Sequence, residues 1–268
     1  MKCAFCESLN TYELKKKTKL GYRQYHCRDC ISQYNERSGT PYNFLHYPTD
    51  VVLLVVFYYY HFKNSLVDVT EHMALRGFSI SHETVRLWSQ QFGTEVGIQF
   101  RARRQGLCGK KWHMDITYLW VESRWCYCYR AIDKAGNLVD VYLSETRDKK
   151  AAEMFFKSCK STTGIMPEQI TTDKEKAFPA AIKKALGAEI KHHDSQYLNN
   201  VMEQHHRGIK SRCSVMKGFK DFFCALNFCY VFEEIRQFFR VNQHPLSERR
   251  GLIASKFQEF KNIMIAAA

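Results

Sequence analysis

Proline and glycine are sparse in this chain, 5 and 13 of 268 residues. That excludes a collagen-like or linker-like polymer. Long hydrophobic runs are missing too. The longest, Val51–Tyr60, falls well short of the roughly 20 residues a bilayer-spanning helix needs. It ends in tyrosines and His61, and it reads as a core helix. Met1-Lys2-Cys3 is followed by neither an apolar stretch nor a small-residue cleavage site, so no secretory signal is expected. Acidic side chains are short in number, 27 against 40 Lys and Arg, which leaves a formal net charge of +13. With 45% hydrophobic and 25% charged residues, the balance is that of a globular protein, and wholesale disorder is excluded.

What is present points to a polyanionic partner, nucleic acid before membrane. The surplus is unevenly spread. Residues 1–50 carry 8 basic and 5 acidic side chains, 51–112 carry 8 and 4, and 204–268 carry 11 and 5. Residues 113–203 carry 13 of each. A neutral centre between basic flanks suits a block that gathers carboxylates while its flanks hold phosphates.

Eleven cysteines in a reducing compartment argue for metal ligands or buried thiols. Cys3-x-x-Cys6 and Cys27-x-x-Cys30, with 20 residues between the pairs, read as a four-thiolate zinc site. The stretch between them is expected to fold back as a hairpin turning at Gly21, in a module of residues 1–48. So short a segment buries little core, and Zn²⁺ would supply its stability. The basic run Lys15–Lys19 with Arg23 on this hairpin suits either phosphate contact or a solvated strand edge.

Residues 49–100 read as helices. The first covers 50–62 and the second Ser65–Leu75; Arg76-Gly77-Phe78 turns the chain. The third is capped by Ser81, with Val85, Trp88 and Phe92 on its apolar face. Helix, glycine turn, helix suggests a helix-turn-helix, although spacing alone leaves an ordinary helical hairpin open. In the first reading His82, Arg86, Ser89 and Gln90 face the major groove. Arg101, Arg103, Arg104, Lys110 and Lys111 then form a basic linker, residues 101–111, that would track the DNA backbone.

From Lys111 the pattern changes. Strands are expected at Trp112–Val121, Trp125–Ile132 and Leu138–Ser144, then a helix at Asp148–Cys159 and a strand at Gln169–Thr172. A helix near Pro179–Leu186, a strand at Glu189–His192 and a long helix from Asn199 follow. This order is that of an α/β, ribonuclease H-like core with a mixed five-stranded sheet, here residues 112–240, followed by a C-terminal tail, 241–268. Asp115 stands inside the first strand, where an acid is unfavourable without a task. Asp173 ends the fourth strand, and Glu203 lies on the long helix. In this fold the three converge at one end of the sheet. Clustered carboxylates repel one another and call for divalent cations, and a two-metal site suits phosphodiester chemistry.

The segments MDITY (114–118), YRAIDKAGN (129–137), SETRDKKAAEMFF (144–156), TTDKEKAFPAAI (171–182) and YLNNVMEQHHRGIKSR (197–212) resemble the DDE transposases of the insertion-sequence six family. The resemblance runs from about Lys111 to Arg240. It implies a polynucleotidyl transferase that nicks the ends of an insertion sequence and joins the 3′-hydroxyl to target DNA. Asp115, Asp173 and Glu203 match the family's catalytic, Mg²⁺- or Mn²⁺-binding triad. Lys210, two helical turns past Glu203, matches a residue that contacts DNA. Asn199 and Asn200 match the family's Asn-Asn, and His206 and Arg207 its polar stretch. The 29 residues between Asp173 and Glu203 are fewer than the family leads one to expect. The resemblance further implies double-stranded DNA partners (terminal inverted repeats and target), a homodimer or larger assembly, no membrane, and a cytoplasmic, nucleoid-associated place in a bacterium. A catalytically idle DNA-binding regulator is the alternative, and a nuclease acting on RNA hybrids a third reading.

Other features read as structural. Cys126, Cys128, Cys159, Cys224 and Cys229 suit buried positions, Cys108 and Cys213 are too scattered for a second metal site, and the run Phe222–Phe239 suits core or dimer surface. Adjacent histidines such as His192-His193 and His205-His206 do not face one way, which disfavours a histidine metal site.

Overall fold

The computed structural model describes residues 1–173, 175–194, 200–241 and 243–267, with the backbone alone over 200–205. Two compact units emerge: Met1–Val55 with Phe257–Ala268, and Val56–Lys256.

In the first unit, β1 (Thr11–Leu14), β2 (Gln24–Cys27) and β3 (Gln33–Asn35) form an antiparallel sheet in that order. The first two strands are the expected hairpin. The third, Gln33-Tyr34-Asn35, was not anticipated, because three residues are too few to show an alternation. It is held by Tyr34, which stacks on Tyr25 with ring centroids 5.5 Å apart. These two tyrosines, with Cys3 and Cys27, form the module's small buried cluster.

Helix α1 (Thr49–His61) runs from the first unit into the second, where its tyrosines are among the packed residues: the Tyr60 ring stacks on Phe228, 5.5 Å between centroids. Then come α2 (Leu66–Ala74) and α3 (His82–Ala102). Ser65 caps α2 reciprocally, its side chain accepting from the Asp68 N–H while the Asp68 carboxylate accepts from the Ser65 N–H. Ser81 caps α3 as expected. Close approach shapes α3: a Cβ on Gly97 would stand 2.6 Å from the Tyr230 ring.

The large sheet has the order β6-β5-β4-β7-β8. Strands β4 (Lys111–Val121), β5 (Arg124–Asp133) and β6 (Leu138–Ser144) are antiparallel, and β7 (Gln169–Thr172) and β8 (Lys191–Asp194) run parallel to β4. This is the ribonuclease H-like order. The β4–β5 turn places Glu122 and Ser123 both at positive φ, 49° and 61°, the conformation a two-residue hairpin turn demands. Strand β8 lies two residues later than expected, since pairing with β7 runs from Gln169↔Lys191 to Thr172↔Asp194.

Side chains alternate along β4. Trp112, Met114 and Ile116 enter the core with Phe155, Phe156 and Phe178 of α4 (Lys149–Thr163) and α5 (Phe178–Leu186). His113, Asp115 and Thr117 therefore face the other side, where α6 (Asn200–Val215) packs against β4 and α7 (Phe222–Phe238) against β6. The chain ends in α8 (Leu246–Ala266). Among the described residues, no helix is long and apolar enough to cross a membrane.

Candidate active site and cysteine cluster

Strand pairing brings the first two acids together. The parallel register of β4 on β7 runs from Lys111↔Gln169 through His113↔Thr171, and two residues further along each chain stand Asp115 and Asp173, close enough for the Asp173 charge to act on Asp115. Asp115 Oδ1 accepts the Ile116 N–H at 2.8 Å. Burial lifts its carboxyl to about 6, with the Asp173 charge adding to the rise and Lys210 opposing it. Asp173 is raised as well, mainly by burial, against the opposing Arg147 guanidinium. Arg147 Nη2 lies 4.0 Å from Asp173 Oδ2 and pairs with Glu175, while its Nη1 donates to the Tyr118 hydroxyl. Asp173 Oδ1 is buried, with no hydrogen-bond partner among the described residues. Two half-desolvated carboxylates side by side, one with an orphaned oxygen, are suited to a divalent cation.

Helix α6 carries the other candidate residues. Glu203 lies on it, its side chain outside the described residues, as are Asn199 and the side chains of Asn200 and His205. Lys210 is exposed on the same helix. His206 is closer to the acids than its sequence position suggested: its Nδ1 stands 3.6 Å from Asp115 Oδ2. Burial, with Arg130 and Lys210, pushes its imidazole down to about 3, so it is neutral at neutral pH and this contact is no ion pair. The signal was available in the spacing, because 203, 206 and 210 fall at i, i+3 and i+7 on one helix face.

The proposed DNA contacts divide. His82 and Gln90 are exposed on α3, and Arg86 is half-buried, bonded to Glu83 and to Gln90 Oε1 at 3.0 Å. Ser89 is buried, because it faces the helix interior side with Val85, Trp88 and Phe92, and it cannot face a groove. Arg103 is exposed and donates to Gln99. Arg104 is a correction to the basic track. It is 8% exposed, with Nε and Nη2 on the Glu234 carboxylate at 2.6 and 2.7 Å and Nη1 on the Leu138 carbonyl at 2.7 Å. Arg101 is likewise drawn inward, to Asp140 at 2.7 Å. Arg207 is exposed.

In the N-terminal unit, one Sγ from each of Cys3, Cys6, Cys27 and Cys30 falls within 4.8 Å of all the others. Cys3–Cys30 and Cys6–Cys27 are 3.6 Å apart. Tetrahedral zinc with Zn–S bonds of about 2.3 Å sets its sulfurs nearly 4 Å apart, so the four thiols fit that ion. Ser32 hydrogen-bonds to Cys30 and draws its thiol down to about 6, while Cys6, against the Ser8 backbone hydrogen bond, is pushed up to about 12 by the Cys30, Cys27 and Cys3 thiols.

A protein-family model described as a DDE domain matches residues 109–242. The transposase for insertion sequence-like element IS431mec of Staphylococcus aureus (strain Mu50 / ATCC 700699) is 34% identical over 167 residues, 61% of this chain and 74% of the relative. The transposase for insertion sequence element IS257 in transposon Tn4003, also from Staphylococcus aureus, matches to the same extent. Among solved structures, the HTLV-2 integrase catalytic core domain in complex with magnesium (trimeric form) aligns over 55% of this chain and 99% of that chain, at 16% identity and a TM-score of 0.38. The DDE-domain match and these relatives make the chain a DDE-type polynucleotidyl transferase. The chain belongs to the insertion-sequence six family of DDE transposases.

Proposed function

We propose that this transposase nicks the ends of an insertion sequence and joins the freed 3′-hydroxyl to target DNA at Asp115, Asp173 and Glu203. The observation that carries this is the nearness of Asp115 and Asp173, both carboxyls raised by burial and the Asp173 charge acting on Asp115, with one buried Asp173 oxygen lacking a partner among the described residues. Those two carboxylates, completed by Glu203, would hold Mg²⁺ or Mn²⁺. Bound there, such cations would supply activation of a water or 3′-hydroxyl and stabilisation of the leaving oxygen of a phosphodiester.

The chain's own side chains do the positioning. Arg147 lies beside Asp173 and ties it to Glu175, which orients the carboxylate. Neutral His206 packs on Asp115 without neutralising it. Lys210, exposed on the helix of Glu203, would hold a backbone phosphate, with Arg207 beside it. His82, Arg86 and Gln90 on α3 and Arg103 after it would bind the terminal repeats, in a helix-turn-helix of residues 49–100 and a linker of 101–111. Residues 1–48 would form the Zn²⁺ module, 112–240 the catalytic core and 241–268 a tail. Two ends must be held at once, so a homodimer or larger assembly on the bacterial nucleoid is part of the proposal.

The test is strand transfer by purified protein on element-end DNA with Mg²⁺ or Mn²⁺. Asp115→Asn should abolish joining and leave end binding intact. Binding without nicking by the unaltered protein would sink the enzymatic reading, and joining by the variant would refute the assignment of Asp115.

A further inference from the structure

Next to the candidate active site, the Val56–Lys256 unit contains a cavity of about 370 Å³ lined from the end of α1, the β5–β6 turn, α6 and α7. Six cations line it: Lys63, Arg130, Arg207, Arg212, Arg236 and Arg240. Among the described residues of the lining, Glu233 is the one carboxylate. Like charges drawn into a partly desolvated space destabilise one another unless an anion joins them. Arg236 registers this directly: burial and the nearby Arg130 and Arg240 push its guanidinium below the usual range, against Glu233.

Arg130 gives an independent sign. It is 4% exposed, and its Nε and Nη2 donate to Glu233 at 2.9 and 2.8 Å. Its Nη1 is buried without a hydrogen-bond partner among the described residues. A buried guanidinium N–H left unpaired is costly, and an oxyanion is its natural acceptor. The walls are also cut to admit guanidinium groups. A Cβ on Gly208 would stand 2.6 Å from Arg236 Nη1, and one on Gly136 would stand 2.7 Å from Arg240 Nη2. Arg130 further connects the cavity to the acids, since it is the cross-strand partner of Asp115.

We propose that this cavity is a phosphate-binding site that holds a backbone phosphate of the DNA strand next to the reacting bond. Its affinity for phosphate stands on the charge and the orphaned donor; DNA as the source of that phosphate rests on the transposase reading.

Inorganic phosphate is the first probe, titrated into the full-length protein at constant ionic strength while thermal unfolding is followed. Phosphate should raise the unfolding midpoint of the unaltered protein by mass action. Arg236→Gln should lose that rise, and Gly208→Ala, which changes no charge, should reduce it. Should Arg236→Gln fail to fold, Arg207→Gln at the exposed rim makes the same comparison. An unchanged phosphate response in the folded variants would overturn the site. Element-end DNA is the second probe. Arg236→Gln should bind it about tenfold more weakly, with the slope of log affinity against log salt shallower by about 1. A lost phosphate response with unaltered DNA affinity and slope would mean a free phosphate occupies the site, and the DNA assignment would be wrong. Asp115→Asn should keep the phosphate response. An unaltered protein that responds to phosphate but never joins DNA would therefore sink the transposase reading and leave the site standing.

Discussion

Asp115 is held in a place that its charge disfavours. Burial lifts its carboxyl from the ordinary 3.8 to about 6. A group raised on folding stabilises the fold fully below its unfolded value, and that contribution is lost as pH rises through the folded value. Asp115→Asn keeps the shape and removes the charge. In a metal chelator at neutral pH it should therefore stabilise the protein by about 1–3 kcal/mol, and the gain should fade as the pH is lowered toward about 4. Denaturant unfolding at the two pH values checks this; equal stabilities at neutral pH would mean that the strand position is not desolvated. Divalent cations need the carboxylate, so their affinity should weaken as the pH falls through about 6. The neighbours Arg103 and Arg104 make the opposite lesson. They look alike in sequence, yet one is exposed and the other is clamped on Glu234, 130 residues away. Nothing local distinguishes them, and residue order alone puts Arg101 and Arg104 on a basic track from which the fold withdraws both. Arg104→Ala strands a buried carboxylate and should cost about 3–5 kcal/mol, against about 0.5 kcal/mol or less for Arg103→Ala. Thermal unfolding of the two variants decides the matter, and similar midpoints would place Arg104 on the surface.

Elements were legible where a periodic pattern was long. The alternation of β4, β5 and β6 and the capping Ser81 of α3 could be read from residue order alone, and with them the places of Asp115 and Asp173, whereas Ser65, expected inside α2, turns out to cap it. The strand β3 could not, being three residues fixed by tyrosine stacking. The start of β8 was missed because parallel pairing, not local composition, sets it. The tight Glu122-Ser123 turn lacks the usual Asn-Gly pair, so only the flanking strands announced it. On α6, Lys210 follows from helical spacing, whereas His206, legible only as part of the family's polar stretch, stands 3.6 Å from Asp115. The cysteine module is the element most dependent on an added ligand. Its buried cluster is just two cysteines and two tyrosines, too little core to hold a sheet. Cys27→Ser should thus lower bound zinc by about one ion per chain and abolish the sheet's protection from proteolysis. Unchanged zinc content would show that the quartet is not the ligand set.

At the scale of the whole molecule, the surplus of +13 is divided by the fold between structure and surface. Arg101 and Arg104 are spent inside, on Asp140 and Glu234. They therefore cannot release counterions when DNA binds. Cations left outside, Arg103 and Lys210 among them, can. Each phosphate neutralised by a surface cation steepens the fall of log affinity with log salt by about 0.9. Two variants that each remove one arginine charge should then behave differently. Arg103→Gln should make the slope shallower by about 1 and weaken binding across all sequences. The double variant Arg104→Gln with Glu234→Gln removes a cation and its buried partner together, so that no carboxylate is left unpaired. It should leave the slope where it was. Fluorescence anisotropy on element-end DNA over a range of salt measures both. A slope that responds to the double variant and not to Arg103→Gln would reverse the division between interior and DNA-facing charge. It would also return the basic linker to the reading its residue order first invited.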